Sequence, residues 1–304
     1  MSGIVDTTLS VWRQLPLPLR RRVSTWRQRA VGNYASLVAA VIKTAPVGAR
    51  AIISERIGNE LSVVQPLDYD GGAIRIHVDS LIELTTRVRS CAKEPETVRW
   101  IETYVRPGEV VFDIGANVGA YSFVIDRHSG GNARVYAFEP GAATFLQLTR
   151  NIALNRCEGR VIPIGIGFGA STRLATFNYS SIVPGAARHS LDAAIDLEGQ
   201  PFQPAMSQPV MLYSIDDFID SFGIENPAHM KIDVDGPELD ILKGATRTMA
   251  DRRLRTIMIE LEPTSPASTE ATTLLEAAGF ALTSVSSHGS ATETSNYLFV
   301  RESQ

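Results

Sequence analysis

The residues best suited to chemistry in this chain are acids that stand where apolar runs end. Asp113-Ile114-Gly115-Ala116-Asn117-Val118-Gly119 closes the run that starts at Glu109, and Glu139-Pro140 closes Val135-Tyr136-Ala137-Phe138. A glycine-bearing turn between a strand and a helix is where open α/β sheets receive nucleotides, and an acid at the tip of the next strand accepts both ribose hydroxyls. In a dinucleotide fingerprint, position 117 would be the second glycine, whose missing side chain lets the backbone touch a pyrophosphate. Asn117 stands there instead. That argues against NAD or FAD and for a ligand without phosphates. Asp113 can receive a cationic or amino group and Glu139 a ribose. A positively charged nucleoside with no phosphate describes S-adenosylmethionine. A purely structural turn beside a solvated Glu139 is the plainer alternative.

A second acidic group follows further along. Asp233 and Asp235 end a run that begins at His229, Glu238 lies just beyond, and Glu260 lies in the run Thr256 to Leu261. Four carboxylates on one sheet edge can serve as a general base or hold a divalent cation, either of which lowers the proton affinity of an acceptor hydroxyl. Asp233, Asp235 and Glu260 are the candidate Mg²⁺ ligands, since hard oxygen donors suit that ion. Glu238 has a plainer role open to it, because an acid at a helix N-terminus is favoured by the dipole. His189, beside Ser190, is an alternative base. Tyr179, Ser180, Ser181 and Ser190 are candidate substrate contacts. Cys91 and Cys157 lack a partner motif and read as structural. The catalytic candidates are therefore Asp233, Asp235, Glu238 and His189.

Several segments in register carry a family likeness. They are Phe112 to Ser122, Phe138-Glu139-Pro140, Lys231-Ile232-Asp233-Val234-Asp235-Gly236-Pro237-Glu238, Leu242-Lys243-Gly244-Ala245 and Ile259-Glu260-Leu261. With these, the chain from about Cys91 to Val300 resembles the FkbM family of class I methyltransferases. The resemblance implies an S-adenosylmethionine-dependent O-methyltransferase, often acting on sugar or polyketide hydroxyls. The cofactor set is then expected to comprise Asp113, Gly115, Asn117, Gly119, Tyr121, Ser122, Glu139, Pro140, Gly165 and Asp233. Two positions depart from the family pattern: Asp235, where Glu is commoner, and Glu262, where His or another residue is expected.

These side chains need a scaffold, and the strand-like runs supply one. Glu109 to Phe112, Val135 to Phe138, Val161 to Ile166, His229 to Val234 and Thr256 to Leu261 alternate with helical stretches, among them Glu238 to Met249 and Ser268 to Ala278. Such alternation predicts a doubly wound, Rossmann-like, mostly parallel sheet. Phe280 to Val285 and Tyr297 to Val300 have no helix between them, so the seven-stranded sheet is expected to close with an antiparallel hairpin. Residues 105–304 form the expected methyltransferase domain, 61–104 a lead-in segment, and 178–208 an irregular loop insertion rich in Pro and Gly. A loop this long is usually functional, here as a lid over the carboxyl edge.

Composition narrows the classes further. A chain of 304 residues, 44% hydrophobic and 20% charged with two cysteines, excludes a disordered chain, a disulfide scaffold and a four-cysteine zinc site. The formal net charge of −4 speaks against nucleic-acid partners. Residues 1–60 nevertheless carry nine Arg and Lys against three acids. Leu19, Val23, Trp26, Ala30, Tyr34, Leu37 and Val41 recur there at helical spacing, so a basic amphipathic helical extension is expected. Its apolar face packs on protein, or it makes peripheral membrane contact through residues 12–42 at the inner face of a cytoplasmic membrane. A homo-oligomer is compatible with either. The acceptor is read as a small molecule or a glycan or glycolipid. Two other functions stay open: a nucleotide-sugar glycosyltransferase using Asp233 and Asp235, and a non-catalytic methyltransferase-like binding protein.

Overall fold

The computed structural model describes residues 33, 35–60, 62–196, 199–287 and 294–302. Contacts divide the chain at residue 62 into a smaller N-terminal unit and a larger one, Val63–Gln304. In the first, residues 35–43 and Val47–Glu60 are helical, with Leu37, Val38, Val41, Val47 and Ile52 exposed. Most of the basic segment 12–42, including Trp12 and Trp26, lies outside the described residues. Among those described, no helix is long and apolar enough to cross a membrane.

The larger unit is built on seven strands: β1 Val110–Ile114, β2 Arg134–Phe138, β3 Val161–Ile164, β4 His229–Ile232, β5 Thr256–Leu261, β6 Phe280–Ser287 and β7 Ser295–Arg301. Their order is β6-β7-β5-β4-β1-β2-β3. All neighbours pair in parallel except β7, which runs against both β5 and β6. Every residue of β1 is buried, as expected of a central strand covered on both faces. Period-2 alternation divides the core accordingly. Val111 joins Trp100, Ile101, Phe123, Val124 and Leu148 on one face, while Phe112 and Ile114 join Phe138, Phe218, Ile232 and Leu242 on the other.

Helices α1 Pro95–Tyr104, α2 Ala120–His128, α3 Ala142–Asn155, α4 Ile215–Phe222, α5 Glu238–Lys243, α6 Thr246–Ala250 and α7 Pro266–Ala277 cover the sheet. Local chemistry sets several of their ends. Ser214 and Ser265 each accept an N–H of the first turn of α4 and α7, and Pro95 and Pro266 start α1 and α7 where no N–H is needed. A short hairpin, Val64–Pro66 with Arg75–His77, lies against α3, whose Asn151 accepts the His77 N–H at 2.8 Å.

Three readings of the sequence change here. The helix expected over 238–249 breaks into α5 and α6 at Gly244-Ala245, where the backbone passes so close to the Gly169 carbonyl that a β-carbon at Gly244 would lie 2.2 Å from it. The strand expected over 229–234 ends at Ile232, where the Asp233 N–H turns onto the Ile114 carbonyl. The irregular stretch 178–208 is flanked by a second, four-stranded sheet of Gly167–Phe168, Met206–Tyr213, Arg173–Tyr179 and Ser190–Leu191, in that order. Its alternation was obscured because its outer face is exposed and partly apolar at Leu174 and Met211.

Candidate active site

The site lies at the carboxyl edge of β1, β2, β4 and β5. The turn after β1 turns on Gly115, whose φ is +81° and whose added β-carbon would lie 1.8 Å from the Asp233 carbonyl oxygen. At Gly119, φ +93°, an added β-carbon would lie 2.6 Å from Leu148 and 2.7 Å from Phe123. Between the two glycines Asn117 adopts a left-handed conformation, φ +51°, closed by its own Oδ1 accepting the Val118 N–H.

The Asn117 backbone N–H donates to Glu139 Oε2 at 3.1 Å, and the Gly141 N–H donates to Glu139 Oε1 at 2.7 Å. Burial pushes the Glu139 carboxyl up to about 7, although those two donors and Arg87 pull the other way. An ionised carboxylate has about four lone-pair sites and Glu139 uses two, so it can still accept a pair of hydroxyls. At the tip of β1, Asp113 Oδ2 accepts the Ser122 hydroxyl at 2.5 Å. Its Oδ1 is buried with no hydrogen-bond partner among the described residues. Orphaned buried acceptors call for a donor, and an amino group fits this one. Burial raises the Asp113 carboxyl as well, against the attraction of Lys231. Pro140 and Gly165 border the same edge, with Gly165 against the Phe145 ring.

Lys231, on β4, is 1% exposed. Its ammonium donates to Asp233 Oδ2 at 2.5 Å and sits 4.9 Å from the centre of the Tyr121 ring, a cation–π contact. Tyr121 in turn donates to the Ser90 carbonyl at 2.9 Å. Burial alone would raise the Asp233 carboxyl, but Lys231, Lys93 and Arg87 together hold it below the usual range. Asp233 is therefore ionised and a weak base.

The other acids lie near one another, but each has its own partner. Asp235 Oδ2 accepts the backbone N–H of Arg188 and, at 3.3 Å, that of His189. Glu238 turns back onto the Gly236 N–H at 3.0 Å, and burial, with Glu260 and Asp235 nearby, pushes it up to about 8. Glu260 accepts the Thr294 hydroxyl at 2.8 Å and is pushed up to about 7 by burial and Asp233. Among the described residues, no group of three or more His, Cys, Asp or Glu could hold a metal ion. This corrects the expected Mg²⁺ site, because Asp233 faces Lys231, Asp235 faces backbone N–H groups and Glu260 faces Thr294.

His189 Nδ1 receives the Ser180 N–H at 3.2 Å, and its ring packs on Phe177 and Tyr179. Burial and Arg87 lower it to about 4, so it is neutral near pH 7. Tyr179 accepts the Ala142 N–H, and the Ser180 hydroxyl donates to the Ala187 carbonyl. Ser190 Oγ is buried without a partner among the described residues. Sequence reasoning passed over Lys231, Arg87 and the Lys93–Glu94 ion pair at 2.8 Å. The signal for Lys231 was a lysine between Met230 and Ile232 in a run read as a central strand, since lysine is almost never fully buried unless paired.

Strand order, the antiparallel β7 and a nucleoside-type turn after β1 define a class I methyltransferase fold. Residues 113–282, more than half of the chain, match the Methyltransferase FkbM domain, and the chain belongs to this family. It is similar to the hexuronic acid methyltransferase AglP of Haloferax volcanii, 29% identical over 182 residues, covering 60% of this chain and 68% of that protein. It is also similar to the 31-O-demethyl-FK506 methyltransferase FkbM of Streptomyces tacrolimicus, 30% identical over 196 residues, covering 58% of this chain and 74% of that one. The crystal structure of methyltransferase FkbM from Methylobacillus flagellatus KT aligns with 64% of this chain and 44% of that one, at 20% identity and a TM-score of 0.46.

Proposed function

We propose that this chain is an S-adenosylmethionine-dependent O-methyltransferase whose acceptor is a hydroxyl of a sugar, in a glycan or glycolipid, or of a polyketide-type natural product. The observation that carries the reading is the pair of buried carboxylates at adjacent strand tips: Glu139 with acceptor sites left over, and Asp113 with one oxygen lacking any donor. When bound, S-adenosylmethionine supplies an already activated methyl group. Glu139 would hold the ribose hydroxyls and Asp113 would receive the amino group, while Gly115 keeps the turn close to the β4 end.

The work left to the protein is orientation and removal of one proton. Glu238 and Glu260, whose carboxyls titrate near neutrality, can take that proton, whereas His189, lowered to about 4 and with Nδ1 engaged by the Ser180 N–H, is a weak base. Asp233, kept ionised by Lys231, supplies negative charge at the edge. The names of the similar proteins, a hexuronic acid methyltransferase and a 31-O-demethyl-FK506 methyltransferase, support a sugar or natural-product hydroxyl as the acceptor. A cytoplasmic site with peripheral membrane contact through residues 12–42 belongs to the same proposal, and salt-sensitive binding to anionic vesicles tests it.

Calorimetry with S-adenosylmethionine, S-adenosylhomocysteine and a nucleotide sugar tests the central claim. Binding of the first two but not the third is expected. Binding of the nucleotide sugar alone would return the glycosyltransferase reading. Methyl transfer to simple glycosides then separates an enzyme from a binding protein.

A further inference from the structure

Residues 180–189 connect strand Arg173–Tyr179 to strand Ser190–Leu191 and project from the second sheet onto the edge of the first. The base of this arm is an aromatic cluster: the His189 ring lies 5.2 Å from Phe177 and 5.3 Å from Tyr179. Its far end is held by hydrogen bonds to three separate parts of the chain. The Ser80 hydroxyl donates to the Pro184 carbonyl at 2.9 Å, and Arg87 donates to the Gly185 carbonyl through Nε and Nη2 at 3.0 and 2.8 Å. The Asn117 side-chain amide donates to the Ala186 carbonyl at 3.1 Å, and Asp235 accepts the N–H groups of Arg188 and His189. Gly185 and Ala186 are buried, whereas Ile182 and Val183 are exposed, so the end is retained by polar contacts and little apolar burial.

Asn117 follows β1 and Asp235 follows β4, and these adjacent strands are the place where the order of the sheet reverses and open α/β sheets take their ligands. The arm therefore bridges the mouth of the site. Asn117 also gives its backbone N–H to Glu139, so one residue touches both the ribose carboxylate and the arm. We propose that residues 183–189 form a strap that opens for cofactor exchange, and that Asn117 is the positioning residue that couples its closure to the Glu139 site. The inference rests on the cofactor reading above. Segments with few buried apolar contacts open locally without unfolding of the core, and closing such a segment over bound substrate slows release.

The test uses Asn117→Gly and Ser80→Ala in the full chain. Glycine accepts φ +51° without strain and keeps the N–H to Glu139, so the losses are the two side-chain bonds, the amide contact to Ala186 and the Oδ1 contact to the Val118 N–H. Ser80→Ala removes the Pro184 contact, together with the cap the hydroxyl gives the Glu83 N–H, from outside the cofactor site. Stopped-flow release of S-adenosylhomocysteine and hydrogen exchange at residues 184–189 in the free protein are measured beside thermal unfolding. Release and exchange at least about threefold faster in both variants are expected, with exchange in β1 and β4 unchanged. Binding with unchanged release and exchange in both overturns the strap alone. No binding of S-adenosylhomocysteine by the unaltered chain overturns the cofactor reading, and the gate with it.

Discussion

Lys231 and Asp113 occupy one rung of the parallel β4–β1 pair, and both side chains are buried to within 1% of their surface. With Asp233 two residues on, the ammonium stands between two carboxylates. Removing the cation alone leaves Asp113 buried and the partly exposed Asp233 without its ion pair, which costs up to about 3 to 5 kcal/mol. Lys231→Met should lose stability in that range by urea denaturation. Adding Asp233→Asn should recover part of it, a coupling of about 1 to 3 kcal/mol. Simple additivity of the two changes would show that the 2.5 Å contact does not hold the site together.

Glu139 gives cofactor affinity a defined pH dependence. Its carboxyl is raised from 4.5 to about 7 by burial, and ribose hydroxyls donate to the ionised form. Affinity for S-adenosylhomocysteine should therefore rise as pH rises through about 7. Glu139→Gln should flatten that slope and lower affinity at least about tenfold at pH 8, the loss expected from charge-assisted hydrogen bonds. In the free protein the sign reverses. The folded carboxyl binds its proton more tightly than the unfolded one, so its contribution to stability falls as pH rises from 4.5 to about 7. Titration calorimetry at several pH values checks the first statement and thermal unfolding the second.

His229 acts at the opposite edge of the sheet. The Trp100 indole N–H donates to Thr256 Oγ1 at 2.8 Å, Thr256 donates to His229 Nδ1 at 2.7 Å, and His229 Nε2–H reaches Glu109 at 3.0 Å. These roles are those of the neutral Nε2–H tautomer, the form that burial favours by lowering the pKa from 6.5 to about 4 despite Glu109. The unfolded chain binds the proton first as pH falls, so stability is lost between pH 6.5 and about 4. At pH 5 the loss attributable to this group is about 2 kcal/mol. Comparing wild type with His229→Gln at pH 7 and pH 5 isolates it. An identical pH dependence in both proteins would contradict the assignment.

Turnover should survive excess chelator. The three acids read as Mg²⁺ ligands have other partners: Lys231, the Arg188 and His189 N–H groups, and Thr294. Methyl transfer assayed with and without a chelator should give equal rates. Loss of activity restored by added Mg²⁺ would reinstate the metal.

Substituting Gly115 tests the closest backbone approach in the site. A β-carbon there meets the Asp233 carbonyl at 1.8 Å and forces a side chain into φ +81°. Gly115→Ala should cost at least about 2 kcal/mol of stability, from left-handed strain and displacement of the β4 end. Wild-type stability by urea denaturation would mean that the turn relaxes freely.

The alternation of strands and helices, the turn at Gly115 and Gly119, the acid at 139 and the antiparallel closing hairpin were all legible in the amino-acid sequence. Each is local. A buried strand writes itself as an apolar run, a left-handed turn as Gly or Asn, and a helix start as Ser or Pro. The tertiary structure alone decided what the second acidic group does. Asp235 meets Arg188 across 47 residues, Asn117 meets Ala186 across 69, and Lys231 meets Asp113 only because β4 lies beside β1. A row of carboxylates reads as a metal site until their partners are known, because a carboxylate binds an ammonium, a backbone N–H or a cation with the same oxygens. The sheet order brought those partners together, and no spacing along the chain encodes it.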